Sequence, residues 1–325
     1  MKRWKLICIF LIMTFGDTLF AQDNMKNHSL KISFDNDFLN FRGDGTDRYF
    51  TNGLRIDYFF KKEKTRFPSS LLLKISNDKN LYSWSVAQYM FTPSRIDIAD
   101  IQYGDRPYAG ALVAIHSLKS FDYTNKLKIS SEIFIGVMGP MSLAEETQIW
   151  VHSLIHYTRP KGWANQVPND IIINYNIGLE KEMIYLPGKL LFSTNIETFN
   201  GTLYNAMGAG FMMKVGRINN CFVKDNAKNT MLNHKTQFYV FMKPSVRVIL
   251  SNALLQGGFI TKTHKDYKGY ILNKDQIERL NVFAEAGAAY EHPKFDLAIT
   301  QKMRTSDFKE GNAIEVGSIS INFKL

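Results

Sequence analysis

Residues 52–60, NGLRIDYFF, place Leu54, Ile56, Tyr58 and Phe60 on one face of an extended chain and Arg55 and Asp57 on the other. Side chains alternate across a strand with a period of two, so one face of this strand seeks an apolar medium and the other carries charge. The core of a β-sandwich does not accept such a charged face. A barrel with a polar interior and a lipid-facing exterior does.

The same alternation appears just before it in SLKISFDNDF (29–38) and in ten further runs between residues 81 and 325, among them LYSWSVAQYMF (81–91), LKISSEIFIGVMG (127–139) and QFYVFMKPSVRVIL (237–250). Twelve runs of roughly ten residues, with aromatics near their ends, predict an all-β fold: a twelve-stranded antiparallel transmembrane β-barrel. The last run, AIEVGSISINFKL (313–325), alternates Ile319, Ile321, Phe323 and Leu325 as a closing strand does. Closure leaves no unpaired edge in lipid. A secreted soluble barrel or sandwich is the rival fold.

The N-terminus supports export. MKRWK is basic, LICIFLIMTFG is apolar but shorter than the ~20 residues of a spanning helix, and TLFAQ offers a small residue for cleavage. A signal peptide over residues 1–21 is expected, followed by one barrel domain over 22–325. Cys8 would leave with the signal, and Cys221 alone forms no internal disulfide. The formal charge of +10 falls to +8 once Lys2, Arg3, Lys5 and Asp17 are removed. No basic helix with interleaved aromatics suggests nucleic acid, so anionic lipid is the better-matched partner.

If both termini lie on the periplasmic side, the connections at 39–48, 93–106, 139–170, 200–203, 250–277 and 306–312 face outward. The unusual motifs fall on or beside the first three. In the third, SLAEETQIWVHSLIHY (142–157) reads as a helix opened by a Ser142–Glu145 capping box, with Glu145, Gln148 and His152 along one polar face. In the first, Asp35, Asn36 and Asp37 stand opposite Thr51, Asn52 and Gly53, an oxygen-rich corner suited to a hard cation such as Ca2+. The alternative is a hairpin loop rich in Asx turns. An EF-hand spacing fails at Leu39, and HSLIH carries Ser153 where a zinc protease carries Glu. No Gly-x-Ser-x-Gly elbow is present, and Ser94 has no nearby His in sequence. Arg48 and Arg106, each in an Asp-Arg pair followed by an aromatic, either bridge loop carboxylates or hold lipid phosphates.

The motifs DNDF, TDRYFTNG, GDRPYAG, GVMGP, SLAEETQ, VHSLI and PKGWANQVPND, in this order and spacing, resemble the lipid A 3-O-deacylases of Gram-negative outer membranes. The resemblance spans nearly the whole mature chain, with residues 22–183 carrying its specific part. It implies removal of a 3-linked acyl or acyloxyacyl chain from lipid A, with Ca2+ and a histidine used in a manner similar to phospholipase A2. By motif position Asn36 and Asp37 take the metal-proximal role, Thr51 lines the same site, His152 is the base and Gln148 lies one turn before it. His156 departs from the family pattern, which often has Gly there, so two histidines stand one turn apart; helix position favours His152. The expected setting is the outer membrane with the active site toward the outer leaflet, lipopolysaccharide as substrate, Ca2+ as cofactor, no nucleic acid, and a monomer. A metal beside Asp37 would polarise an ester carbonyl while neutral His152 takes a proton from water. Transport or channel barrels and ligand-binding or adhesion barrels are the alternatives.

Overall fold

The structure, a computed structural model, describes residues 28–39, 49–62, 66–224, 235–259 and 269–325. The expected signal peptide and Arg48 lie outside the described residues. Twelve strands form a closed antiparallel barrel in sequence order: β1 (His28–Asn36), β2 (Tyr49–Phe60), β3 (Lys79–Thr92), β4 (Ala109–Asp122), β5 (Leu127–Met138), β6 (Asp170–Leu186), β7 (Leu190–Gly201), β8 (Tyr204–Arg217), β9 (Gln237–Asn252), β10 (Leu280–Glu291), β11 (Phe295–Arg304) and β12 (Ile314–Lys324). The seam between first and last strands runs from Ser29 opposite Lys324 to Asn36 opposite Gly317. Every strand is thereby paired on both sides, as lipid requires.

The charged face of the opening stretch is the interior. Arg55 Nε donates to Asp57 Oδ1 at 2.5 Å, and its Nη2 lies 3.3 Å from Glu132 on β5, an ion pair thrown across the lumen. Lys128 pairs with Glu180, Arg247 with Glu197 at 2.5 Å, Lys302 with Asp35 at 3.0 Å and Lys324 with Asp296 at 2.6 Å. Charges held this way inside a narrow barrel are tolerable because they are paired. The opposite face exposes Val86, Ile135, Ile171, Ile173, Ile196, Phe238, Val248, Ile299 and Phe323, the apolar band of a lipid-facing wall.

Two departures from the expected layout matter. At the end that bears the third connection, Leu203, Leu254, Leu255, Leu272, Val167, Tyr49 and Phe308 join one buried apolar cluster with wall residues, so the mouth there is filled by its own loops. A short helix, α2 (Ala253–Gln256), supplies two of these leucines. At the other end, the turns 123–126, 187–189 and 292–294 are short as outer-membrane barrels prefer, but the β8–β9 connection (218–236) is not, nor is the β2–β3 connection (61–78). Part of it, residues 66–78, folds back along the outside of the wall.

Candidate active site

The site residues are arranged around one row of the outer wall. By strand register Gly317 lies opposite Asn36, Asn36 opposite Asn52, Asn52 opposite Met90, and Met90 opposite Gly110. These positions share the parity of Leu54 and Ile56, so they face away from the ion-paired lumen. At neighbour spacings of ~4.8 Å, the row crosses five strands, and a glycine stands at each end. A Cβ on Gly317 would sit 2.0 Å from Leu39 O, and one on Gly110 would sit 2.1 Å from Ser142 Oγ and 2.4 Å from the Ala144 Cβ. The glycines thus admit two elements against the wall: the 3-10 turn Asp37–Leu39 at one end and the start of a helix at the other.

That helix, α1 (Ala144–Ile155), is shorter than the sequence predicts and begins differently. Leu143, in left-handed conformation at φ 58°, is its N-cap, and no side chain caps it. Ser142 Oγ donates instead to Gly139 O at 2.6 Å, so the expected Ser142–Glu145 capping box is absent. The start is fixed from the wall: Gln88 Nε2 donates to Ser142 O at 2.8 Å and to Thr147 Oγ1 at 3.2 Å. The buried stripe of α1 is Ala144, Gln148 and His152. Glu145, expected on the same face, is only half-buried; burial and then Glu146 hold its carboxyl above the usual carboxylate range.

His152 is 5% exposed, and its Nδ1 lies 2.5 Å from Thr158 O. A carbonyl only accepts, so Nδ1 carries the hydrogen and Nε2 of the neutral ring is the proton acceptor. Tyr157 packs edge-on against the imidazole at 5.1 Å. Gln148 Oε1 accepts a hydrogen bond of 2.7 Å from Trp163 Nε1, and Trp163 joins Met90, Tyr108 and Ala144 in a buried cluster. Gln148 is therefore tied through Trp163 to the wall row that contains Asn52 and Asn36. Trp163 and Gln88 carry no assigned role in the sequence reading. Gln88 leaves a signal there, a polar residue on an otherwise lipid-facing parity, whereas the Trp163–Gln148 pairing leaves none. His156 ends α1 as a left-handed, exposed C-cap at φ 57°.

At the other end of the row, Asp37 is 2% exposed, Asn36 Nδ2 donates to Thr51 O at 3.0 Å, and Thr51 Oγ1 lies 2.6 Å from Thr92 Oγ1. A register shift between Phe50 and Asn52 places Thr51 in a bulge, which re-aims its side chain. Asn52 Oδ1 is buried with no hydrogen-bond partner. Among the described residues no three His, Cys, Asp or Glu side chains gather as a metal-binding group. The donors available here are one carboxylate, two side-chain amides, a hydroxyl and backbone carbonyls. An oxygen-only set with an unsatisfied buried amide oxygen fits a hard cation such as Ca2+ and does not fit zinc.

Arg106 points into the mouth. It is 1% exposed, donates from Nη1 to Asp307 Oδ2 at 2.5 Å and lies over the Phe91 ring at 4.0 Å. Arg304 shares Asp307 at 2.9 Å, and burial pushes the Arg106 guanidinium down to about 10. The carboxylate-bridging partner is the one this geometry provides.

The model of the outer membrane protein LpxR family matches residues 6–325. The chain belongs to the LpxR family. LpxR from Salmonella typhimurium is similar in structure, at 21% identity and a TM-score of 0.71, covering 91% of this chain and 100% of that one. The beta domain of the Bordetella autotransporter Brka, at 7% identity and a TM-score of 0.44, covers 92% of this chain and 99% of that one. No curated protein matches. Membership in the LpxR family bears out the lipid A 3-O-deacylase resemblance of the sequence motifs, the twelve-stranded barrel and the outer-membrane location.

Proposed function

We propose that this LpxR-family protein hydrolyses a 3-linked acyl or acyloxyacyl ester of lipid A at the outer face of the barrel wall, with the site toward the outer leaflet and the chain acting as a monomer. The observation that carries the proposal is the inverted polarity of α1. Its buried stripe holds Gln148 and His152, while Leu143, Trp150, Leu154 and Ile155 are exposed. A soluble protein would turn such a helix over. Here the apolar stripe meets lipid, and a histidine base is held at the boundary where an acyl chain and a sugar ester meet.

His152 performs the proton transfers. Held by Thr158 in the Nδ1–H tautomer, it takes a proton from water at Nε2 as the water oxygen bonds to the ester carbonyl carbon. Collapse of the tetrahedral species breaks the bond to the sugar oxygen. The same proton passes to that oxygen, releasing a fatty acid and a free hydroxyl. Gln148, oriented by Trp163, stands one turn away on the same stripe and positions the reacting groups. Asp37, Asn36, Thr51 and the unsatisfied Asn52 oxygen would hold Ca2+, which when bound supplies charge to polarise the carbonyl. Arg48, beside this corner in sequence, is the remaining candidate for a lipid phosphate. The transport alternative needs an open lumen, and the Arg55–Glu132 pair and the filled mouth weigh against one.

Cation dependence is tested on purified protein with lipopolysaccharide. Chelation should abolish fatty-acid release and added Ca2+ should restore it, while zinc should not. Undiminished release after exhaustive chelation would remove the cation from the mechanism.

A further inference from the structure

Residues 66–78 belong to the β2–β3 connection, at the barrel end opposite α1, yet they lie against the outward face of β4, β5 and β6. Their backbone is satisfied by wall side chains. Tyr175 on β6 donates to Leu71 O at 3.0 Å and accepts from Leu73 N at 3.1 Å; Ser131 on β5 donates to Leu73 O at 3.2 Å. Ser120 on β4 accepts from Ile75 N at 3.1 Å and from Ser76 N at 3.3 Å. His116, stacked on Trp84 at 4.2 Å, gives Nδ1–H to Ser83 O and accepts from Ser69 Oγ at Nε2, both at 2.9 Å. Leu72 is buried with Tyr82 and Leu118, two other outward residues. Irregular backbone survives at membrane depth only when its polar groups are paired; here Tyr175, Ser131 and Ser120, three polar side chains of lipid-facing parity, pair backbone groups of the strap, and a fourth, His116, holds the Ser69 hydroxyl.

The outer surface of this strap is amphipathic. Phe67 is 79% exposed, Leu71 55% and Leu73 44%, and they continue the lipid-facing band of Trp84, Val86 and Ile135. Arg66 and Lys74 are exposed among them, and Lys61 and Lys62 precede. Within residues 66–78 the one acidic side chain is Asp78 at the far end, which accepts from Tyr123 N at 3.0 Å.

We propose that the strap is a binding surface for anionic phospholipid of the inner leaflet. Phe67, Leu71 and Leu73 lie among acyl chains, and Arg66 and Lys74 hold the headgroup phosphate. The α1 end carries the long outward connections, so the strap belongs to the periplasmic half of the barrel, away from the leaflet that holds lipid A. Arginine suits the phosphate by its planar fork, and an apolar body with cationic edges is the composition of an interfacial anchor.

The test is phospholipid retention by the full-length barrel, read by native mass spectrometry after extraction from vesicles of phosphatidylglycerol and phosphatidylcholine at equal amounts. Wild type should retain phosphatidylglycerol preferentially. Arg66→Gln/Lys74→Gln should lose at least about fivefold of that preference, and Phe67→Ser/Leu71→Ser should lose retention of both lipids, with heat-modifiable mobility unchanged in each variant. A parallel arm supplies purified lipid A. Equal retention in wild type and the charge variant, or charge-dependent retention of lipid A in place of phosphatidylglycerol, overturns the proposal. None of these residues touches the candidate active site, so deacylation measured alongside should stay at wild-type level whichever way lipid retention falls.

Discussion

His152 is set by its neighbours on both sides of the ring, with Thr158 O fixing the Nδ1 hydrogen and Tyr157 packed against the plane. His156, one turn on, is exposed where the helix ends. His152→Asn is therefore expected to lower deacylation by about 10²–10⁴-fold, the usual loss on removing a general base. His156→Asn should cost at most about tenfold. Both variants should fold, because neither ring fills the barrel core, and initial rates on lipopolysaccharide separate the two. Near-normal turnover in the His152 variant with a dead His156 variant would reverse the assignment. A different kind of residue effect belongs to Arg106. It shares the buried Asp307 with Arg304, and breaking a buried pair by removing one partner costs about 3–5 kcal/mol. Asp307→Asn should therefore reduce the fraction of chain that assembles into heat-modifiable barrel. Normal assembly with impaired use of phosphorylated lipid A would return Arg106 to a phosphate role.

The position of α1 depends on two glycines and a glutamine rather than on a cap. Gly110→Val would drive a side chain into Ser142 and Ala144, tilting the helix off the wall while β3–β4 pairing persists. A displacement of ~1 Å at a catalytic group can cost about a hundredfold, so activity should fall by that order with heat-modifiability retained; wild-type rates in a folded Gly110→Val barrel would show that helix docking does not set the site. The existence of α1 and its two polar residues were legible from the spacing of Gln148 and His152. Its start was not, because a local Ser-x-x-Glu pattern competes with a wall contact from Gln88, more than fifty residues earlier in the chain. The same limit hid the strap. His116, Ser120 and Ser131 break the apolar parity of their strands, a signal visible in sequence but open to meaning until the segment they bind is placed on them.

For the whole molecule, alternation was enough to give the strand count and the closing strand, because period-two patterning is a local property that each strand carries by itself. The interior pairing was not, since Arg55–Glu132 and Arg106–Asp307 join residues far apart in sequence. The candidate site shows both cases. Asp37, Asn36 and Thr51 share one corner, as the hairpin between β1 and β2 dictates, while the outer-wall row from Gly317 to Gly110 emerges only when the sheet closes. The barrel is thus a scaffold whose lumen carries paired charge and whose candidate site lies on its lipid-facing side. The most direct measurement is the mass spectrum of lipid A from Gram-negative cells expressing the wild-type chain or His152→Asn, with both barrels shown to be assembled. Wild type should shift lipid A down by the mass of one 3-linked acyl or acyloxyacyl chain and the variant should leave it unchanged. Unaltered lipid A from cells carrying the assembled wild-type barrel, or the same mass loss in both, would contradict the account.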